Sequence, residues 1–295
     1  MNVNIVPDEK LLAPYFYISE LPGKQIRTKL SKAFNHWLNI PDDKIELIVQ
    51  IIQMLHNASL LVDDIEDDSK MRRGRPVAHT IYGCPLTINA ANFIYFLALD
   101  KVLLLGHAQA IKIYTEELLE LHRGQGMDIY WRDSFVCPSE EEYFSMVAKK
   151  TGGLFRLAFK LMQLFSSNQS DYTYLLNDLA IYFQIRDDYA NLLSPEYHEN
   201  KAFCEDLTEG KYSFPIIHGI NQETNGLSRI RNILKRRTDD PQLKTYCVEV
   251  LKESGSFKHT LQTLNGLEEK IREAIAHFGG NDLLLQIIDN LKIKN

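Results

Sequence analysis

A chain of 295 residues, 45% hydrophobic and 24% charged, can bury a sizeable core as one large domain or two modest ones, with no need of a disulfide or metal staple. A net charge of −6 argues against nucleic acid as the default partner, because a phosphate backbone asks for a basic face, but it leaves room for local basic clusters that take small anions. Four cysteines, Cys84, Cys137, Cys204 and Cys247, stand far apart with no CxxC pair, which reads as free thiols in a reducing compartment and not as a zinc site.

The first ten residues are polar and charged and lack the apolar stretch of a signal peptide. No apolar stretch is expected to reach the roughly 18–20 residues that span a bilayer, and no lipidated C-terminal motif is expected. A cytoplasmic protein is the expectation, with peripheral membrane contact left open. In chain order, apolar residues recur at helical spacing over 45–62, with Pro41-Asp42-Asp43 as the start signal. A very apolar helix is predicted over 87–106, buried on several sides, then helices over 109–131 and 139–164. Ser139 is placed as N-cap and Glu142 at the capping-box position. A helix over 172–193 ends before Pro195, and residues 194–212 read as irregular. Shorter helices follow over 214–221, 227–237, 241–254, 257–277 and 283–291. Strand signals are scarce, and no repeat or linker divides the chain. The fold class is all-α, a single domain over 1–295 of about ten or more helices.

Two acidic motifs carry the chemistry. Asp63-Asp64-Ile65-Glu66-Asp67 ends an apolar helix, and Asp63 and Asp67, four apart, share a face near a helix C-terminus. Like charges at that spacing repel by a few tenths of a kcal/mol, and the helix dipole disfavours them there. Folding does not ask for this arrangement, whereas a cation would offset it. Asp187-Asp188-Tyr189-Ala190-Asn191 repeats the pattern with Asn191, an uncharged oxygen donor, opposite Asp187. Oxygen-only donors point to a hard ion, and magnesium fits best. The bland alternative is a solvated acidic face, and Asp42-Asp43 and Asp239-Asp240 show that Asp pairs also occur in ordinary turns here.

Basic residues follow the acids. Arg72-Arg73-Gly74-Arg75 comes directly after the first motif, where guanidinium forks could grip a diphosphate. Gly23, Lys24 and Arg27 form a turn with two cations. His56 lies two turns before Asp63, Lys150-Thr151 precedes Gly152-Gly153, and Lys201 and Lys211 flank Asp206. Singly, each has an ordinary reading: a surface loop, a solvated cation, a core histidine, a helix kink. Their order along one chain is less ordinary.

That order, carried by residues 21–27, 63–67 with 72–74, 150–153, 183–188 and Lys201, Asp206 and Lys211, resembles the all-α trans-prenyltransferases, the isoprenyl diphosphate synthases, over about 15–291. Segments 29–38, 54–61 and 124–132 are similar to the animal type of geranylgeranyl diphosphate synthase. The resemblance implies an isoprenoid-synthase bundle around a central cavity and a magnesium-dependent condensation of isopentenyl diphosphate with an allylic diphosphate (dimethylallyl, geranyl or farnesyl). It implies that Asp63, Asp67 and Asp187 hold three magnesium ions with the allylic diphosphate, with Asp64 and Asp188 in support. Arg72, Lys150, Lys201 and Lys211 would bind that diphosphate. Gly23, Lys24, Arg27, His56 and Arg73 would bind isopentenyl diphosphate, and Thr151 and Gln184 would face the developing cation. Asn191 departs from the family's commoner Asp.

Product length becomes a steric matter. Ala58 and Ser59, about 6–7.5 Å below Asp63 at the helical rise, are small. Family members that stop at C15 usually place aromatics there. The expected product is therefore C20, with Tyr95, Phe96 and His122 as candidates for a deeper floor. The alternatives are a farnesyl diphosphate synthase, a terpene synthase, and a non-catalytic regulatory subunit. The resemblance further implies homodimers or higher assemblies, with the apolar 87–106 helix as a candidate interface.

Overall fold

The computed structural model describes residues 6–20, 23, 25–193, 203–223 and 228–293. Among them are sixteen helices: α1 (Asp8–Leu11), α2 (Ala13–Ser19), α3 (Ile26–Leu38), α4 (Asp42–Glu66), α5 (Ala78–Tyr82), α6 (Cys84–Leu103), α7 (Ala110–Ser134), α8 (Glu140–Lys150), α9 (Gly152–Gln163), α10 (Thr173–Leu193), α11 (Glu205–Glu209), α12 (Phe214–Gln222), α13 (Arg229–Leu234), α14 (Pro241–Glu253), α15 (Ser256–His277) and α16 (Asp282–Leu291). One two-stranded antiparallel hairpin, β1 (Met71–Arg72) and β2 (Arg75–Pro76), follows α4. The all-α expectation holds. The N-terminal helices, the hairpin and α11 were not predicted, since each is too short for a helical period to show, apart from the longer α3.

The chain divides into two compact units, Met1–Thr115 with Leu157–Asn168, and Glu116–Arg156 with Gln169–Asn295. In the first, α4 packs along α6. Ala58 and Leu61 of α4 meet Ala90, Ala91 and Ile94 of α6 in a cluster completed by Leu12, Ile18 and Ala78. The small alanines let the two helices approach closely. Phe34 of α3 sets its ring edge-on to Phe159 at 5.3 Å. In the second unit, α10 packs on α15 and α8, and α12 packs on α15.

Two expectations change here. Helices α4 and α6 are each long and apolar enough to cross a membrane, by length and composition alone. Their scattered Gln, Asn and His residues hide this when only uninterrupted apolar runs are counted. And α6 is not buried on several sides: Thr87, Ala90, Ala91, Ile94, Ala98 and Val102 are covered, while Ile88, Phe96 and Leu103 are exposed. Packing against α4, α2 and α5 uses one side, and among the described residues nothing covers the other.

Helix ends follow local chemistry. Ser139 Oγ accepts from Glu142 N and the Glu142 carboxylate accepts from Ser139 N, the reciprocal capping box read from the sequence. The single helix predicted over 139–164 is two. Helix α8 ends at Lys150, and α9 begins at Gly152, where an added Cβ would lie 2.8 Å from the Arg156 guanidinium. Arg156 fills that corner. Its Nε donates to Glu117 Oε2 at 2.9 Å, and it also bonds Ala148 O and Asn177 Oδ1.

Candidate active site

The first acidic motif closes α4. Asp67 is its C-cap, and its amide donates to Asp63 O at 2.9 Å, so Asp63 and Asp67 lie one turn apart as expected. Neighbouring Asp64 is rotated about 100° away and is buried. Its Oδ1 accepts from Arg72 Nε at 2.7 Å and also pairs with Arg72 Nη2. The Asp63 side chain stays partly exposed, with Arg72 Nη2 3.6 Å from its Oδ2. Arg72 thus serves both carboxylates, using Asp64 as its anchor. The hairpin makes this possible. Arg73 (φ 52°) and Gly74 (φ 75°) form its left-handed turn, the geometry that matches strand twist and that Gly supplies at no steric cost.

The isopentenyl set partly assembles in the same unit. Arg27 Nη1 donates to His56 Nε2 at 3.2 Å, so that ring nitrogen carries no proton. Loss of solvation, followed by the positive charges of Arg27, Arg73 and Arg72, holds His56 well below the usual histidine range. Gly23 lies against Arg73: a Cβ there would be 2.7 Å from its guanidinium nitrogen. Lys24 lies outside the described residues.

The second motif sits inside α10, not at its end. Asp188 is buried and accepts four hydrogen bonds. Its Oδ2 takes Tyr143 Oη at 2.6 Å and the Phe214 amide at 2.9 Å; its Oδ1 takes Gln184 Nε2 at 2.9 Å and Lys211 Nζ at 3.4 Å. The Phe214 amide opens α12, so the carboxylate also gains from a helix N-terminus. Burial, then the Asp188 charge, pushes the Tyr143 phenol far up. Lys211 is largely buried, which works against its charge, but Asp206, Asp188, Asp128 and Glu209 outweigh burial and hold its pKa well above normal. Lys211 arrives there because α11 ends on Gly210 in the left-handed conformation and the Lys211 amide returns to Asp206 O at 2.9 Å.

Asp187 is the accessible member of this pair, its side chain about half exposed. Asn191, read from sequence as an oxygen donor toward a metal, is placed otherwise: it is buried and its Oδ1 accepts from the Asp206 amide at 3.2 Å. It ties α10 to α11. Thr151 Oγ1 donates to Gln184 Oε1 at 2.9 Å, so Thr151, Gln184 and Asp188 form one chain of bonds. Lys150 Nζ donates to Asp128 Oδ2 at 2.7 Å. Lys201 lies outside the described residues.

Of the chain-length candidates, Ala58 is fully buried in the α4/α6 cluster, while Ser59, four before Asp63, is partly accessible and bonds His56 O at 2.9 Å. Tyr95 packs against the same cluster, and its carbonyl accepts from Tyr114 Oη at 2.6 Å. Burial, then the charge of Glu66, raises its phenol pKa, with Tyr114 and Asp63 adding smaller contributions. Phe96 is 71% exposed and His122 is on the surface, its Nδ1 on Leu118 O at 2.8 Å. Within the single chain neither is the interior floor residue that the tunnel reading asks for. One residue past Tyr95 on a helix packed by one face, Phe96 points away from the core.

Among the described residues, no three His, Cys, Asp or Glu side chains gather into a ready-made metal cage. The carboxylates that are accessible, Asp63, Asp67 and Asp187, offer hard oxygen donors only, a set that suits magnesium bound through a few carboxylates together with substrate phosphates. In both motifs, therefore, the first Asp is accessible and the second is buried and anchors a cation. Residues 8–251 match the family described as polyprenyl synthetase. The chain belongs to that family. Similar proteins include a terpene synthase of Matsumurasca onukii, 58% identical over 284 residues (96% of this chain, 93% of the relative). A geranylgeranyl pyrophosphate synthase of Dictyostelium discoideum is 52% identical over 285 residues (97% and 94%). One of Metarhizium anisopliae is 55% identical over 274 residues (93% and 82%).

Three residues escaped the sequence reading: Asp128, Tyr143 and Arg156. Tyr143 and Arg156 read as ordinary helix residues, because their roles depend on partners 39–45 positions away. Gly124, in mid-helix four residues before Asp128, was the available signal.

Proposed function

We propose that the chain is a magnesium-dependent prenyltransferase, one domain over 1–295, that condenses isopentenyl diphosphate with an allylic diphosphate to give geranylgeranyl diphosphate. The observation that carries this is the shared pattern of the two motifs, an accessible Asp beside a buried Asp that fixes a cation. Bound magnesium, up to three ions, would supply positive charge to the leaving diphosphate, held through Asp63, Asp67 and Asp187. Arg72, Lys150, Lys201 and Lys211 bind that diphosphate and stabilise it as charge develops. Thr151 and Gln184 face the allylic cation with oxygen atoms. Gly23, Lys24, Arg27, His56 and Arg73 hold isopentenyl diphosphate, whose double bond attacks. A proton then leaves to the departing diphosphate, and water is kept out so that the cation is not quenched. Small residues at 58 and 59 favour a C20 product, with Tyr95 below them. A cytoplasmic protein assembled as a homodimer or higher oligomer through the uncovered face of α6 completes the reading.

A terpene synthase is the second reading, favoured by the relative of that name. A cyclase has no need of isopentenyl diphosphate, so the Arg27–His56 bond and the Arg73–Gly23 contact support the first. The test is incubation with isopentenyl diphosphate and each of dimethylallyl, geranyl and farnesyl diphosphate, with and without magnesium, followed by chain-length analysis. A magnesium-dependent C20 alcohol diphosphate is expected. A hydrocarbon formed from an allylic substrate alone would favour the terpene synthase, and no turnover of any starter would favour a non-catalytic subunit.

A further inference from the structure

We infer that Asp128 is a positioning residue that sets Lys150 for the diphosphate, and that the Glu120, Gly124 and Asp128 face of α7 is the rail that fixes the end of α8. These three residues fall four apart, on one face of one helix. Each meets the last turn of α8. Glu120 pairs with Lys149. At Gly124 a Cβ would lie 2.3 Å from Lys150 N, 2.9 Å from Lys150 Cα and 2.8 Å from Lys149 Cβ, so only glycine lets the backbone of α8 press this close. Asp128 Oδ2 accepts from Lys150 Nζ at 2.7 Å, and the side chains of Asp128 and Lys150 are 12% and 22% exposed.

The inference rests on the proposal that Lys150 binds the allylic diphosphate. A lysine ammonium is a compact charge on a flexible four-carbon stem with three donors. One N–H given to Asp128 restrains the stem and aims the ammonium. The carboxylate is an odd neighbour for an anion site, since its charge repels the ligand. Its benefit is orientation, which appears in the rate, and its cost is affinity. The same carboxylate also acts through its charge on Lys211.

Two variants and their combination test this: Asp128→Asn, which keeps size and an acceptor oxygen, Lys150→Met, and both together. Steady-state kinetics with farnesyl and isopentenyl diphosphates would be measured beside calorimetric binding of inorganic diphosphate with magnesium and thermal unfolding. Asp128→Asn is expected to lower kcat about 10–50-fold with KM for the allylic substrate unchanged or lower, and to bind inorganic diphosphate at least as tightly as wild type. Lys150→Met should weaken inorganic diphosphate binding about tenfold or more. In its background Asp128→Asn should change kcat less than threefold. Full additivity, or a raised KM with kcat unchanged, would overturn the role of Asp128 while leaving that of Lys150. If Lys150→Met leaves both binding and rate intact, the reading of Lys150 itself fails. Should Asp128→Asn not fold, Asp128→Ser replaces it, with the same outcomes deciding.

Discussion

The two acidic motifs read almost alike as text, and the structure gives them different work. In both, the first Asp is accessible and the second is buried. Asp64, at the end of α4, holds Arg72, which reaches it from a hairpin. Asp188, inside α10, is a junction: α8 reaches it through Tyr143, α12 through an amide, and the α11 turn through Lys211. The fourth position differs too. Asp67 caps a helix end, while Asn191 is used inside the fold by the Asp206 amide. The lesson is that a motif's spacing fixes which side chains share a face, while its place in the helix decides whether they face a ligand or neighbouring elements.

The largest effect should separate the buried pair. Removing Asp188 takes the acceptor from buried Tyr143 and one of two carboxylates from buried Lys211, and breaking a buried ion pair costs about 3–5 kcal/mol. Asp64→Ala strips one hydrogen-bonded partner from a guanidinium that keeps a second carboxylate, Asp63, 3.6 Å away, and should cost about 1–3 kcal/mol. Urea unfolding of both variants checks this, and equal losses would break the distinction. The accessible pair should do the opposite. Asp63→Ala and Asp187→Ala are expected to reduce product formation about 100–1000-fold with unfolding free energies within about 0.5 kcal/mol of wild type. Asn191→Asp tests the fourth position: a charge placed where the amide is buried should destabilise by about 1–3 kcal/mol and should not raise activity or magnesium affinity. A gain in magnesium affinity would return Asn191 to the ligand set.

The helices over 45–62, 172–193 and 241–254 were legible because each has an apolar face long enough to show a 3.6 period, and the Ser139 cap and the first-turn acids Asp42 and Asp43 are local chemistry. The hairpin at Arg72 was not, since two-residue strands have no period to read and Arg73 is an unlikely-looking residue for a left-handed turn. The aspartates of the site follow from the motifs, but the partners of the buried ones do not. Nothing between positions 143 and 188 announces that a tyrosine and an aspartate 45 residues apart will meet. Asp128 and Gly124 lie between these cases: the spacing was visible, and the meaning came only with the end of α8 against it.

Residues 58 and 59 extend the comparison down α4 from Asp63. Ser59 shares the Asp63 face and is partly accessible, whereas Ala58 is closed in against α6. An aromatic at 59 should be accepted with less than about 1 kcal/mol of destabilisation and should shift products toward C15. Ala58→Phe must overpack a filled interface, at about 1–3 kcal/mol. Chain-length analysis beside thermal unfolding distinguishes them. A stable Ala58→Phe that shortens the product as well as Ser59→Phe would mean that the α4/α6 seam opens toward the growing chain.

The smallest effect belongs to His56, three residues before Ser59 on α4. Its folded pKa lies below the unfolded value of about 6.5. Between those two values the unfolded chain binds a proton at this site and the folded chain does not. Stability therefore rises with pH across that window, is fully present above about 6.5, and falls as the pH drops below it, by at most about 1.4 kcal/mol per pH unit. His218, lowered by burial and by the charge of His259, acts in the same sense. Urea unfolding at pH 5.5, 6.5 and 7.5 should show this slope, and His56→Gln should remove its own share while leaving that of His218. An unchanged slope would mean that His56 takes up its proton in the folded protein. In that case Arg27 could no longer donate to its Nε2, and the bond that joins α3 to α4 at the isopentenyl diphosphate set would have to break before any substrate arrived.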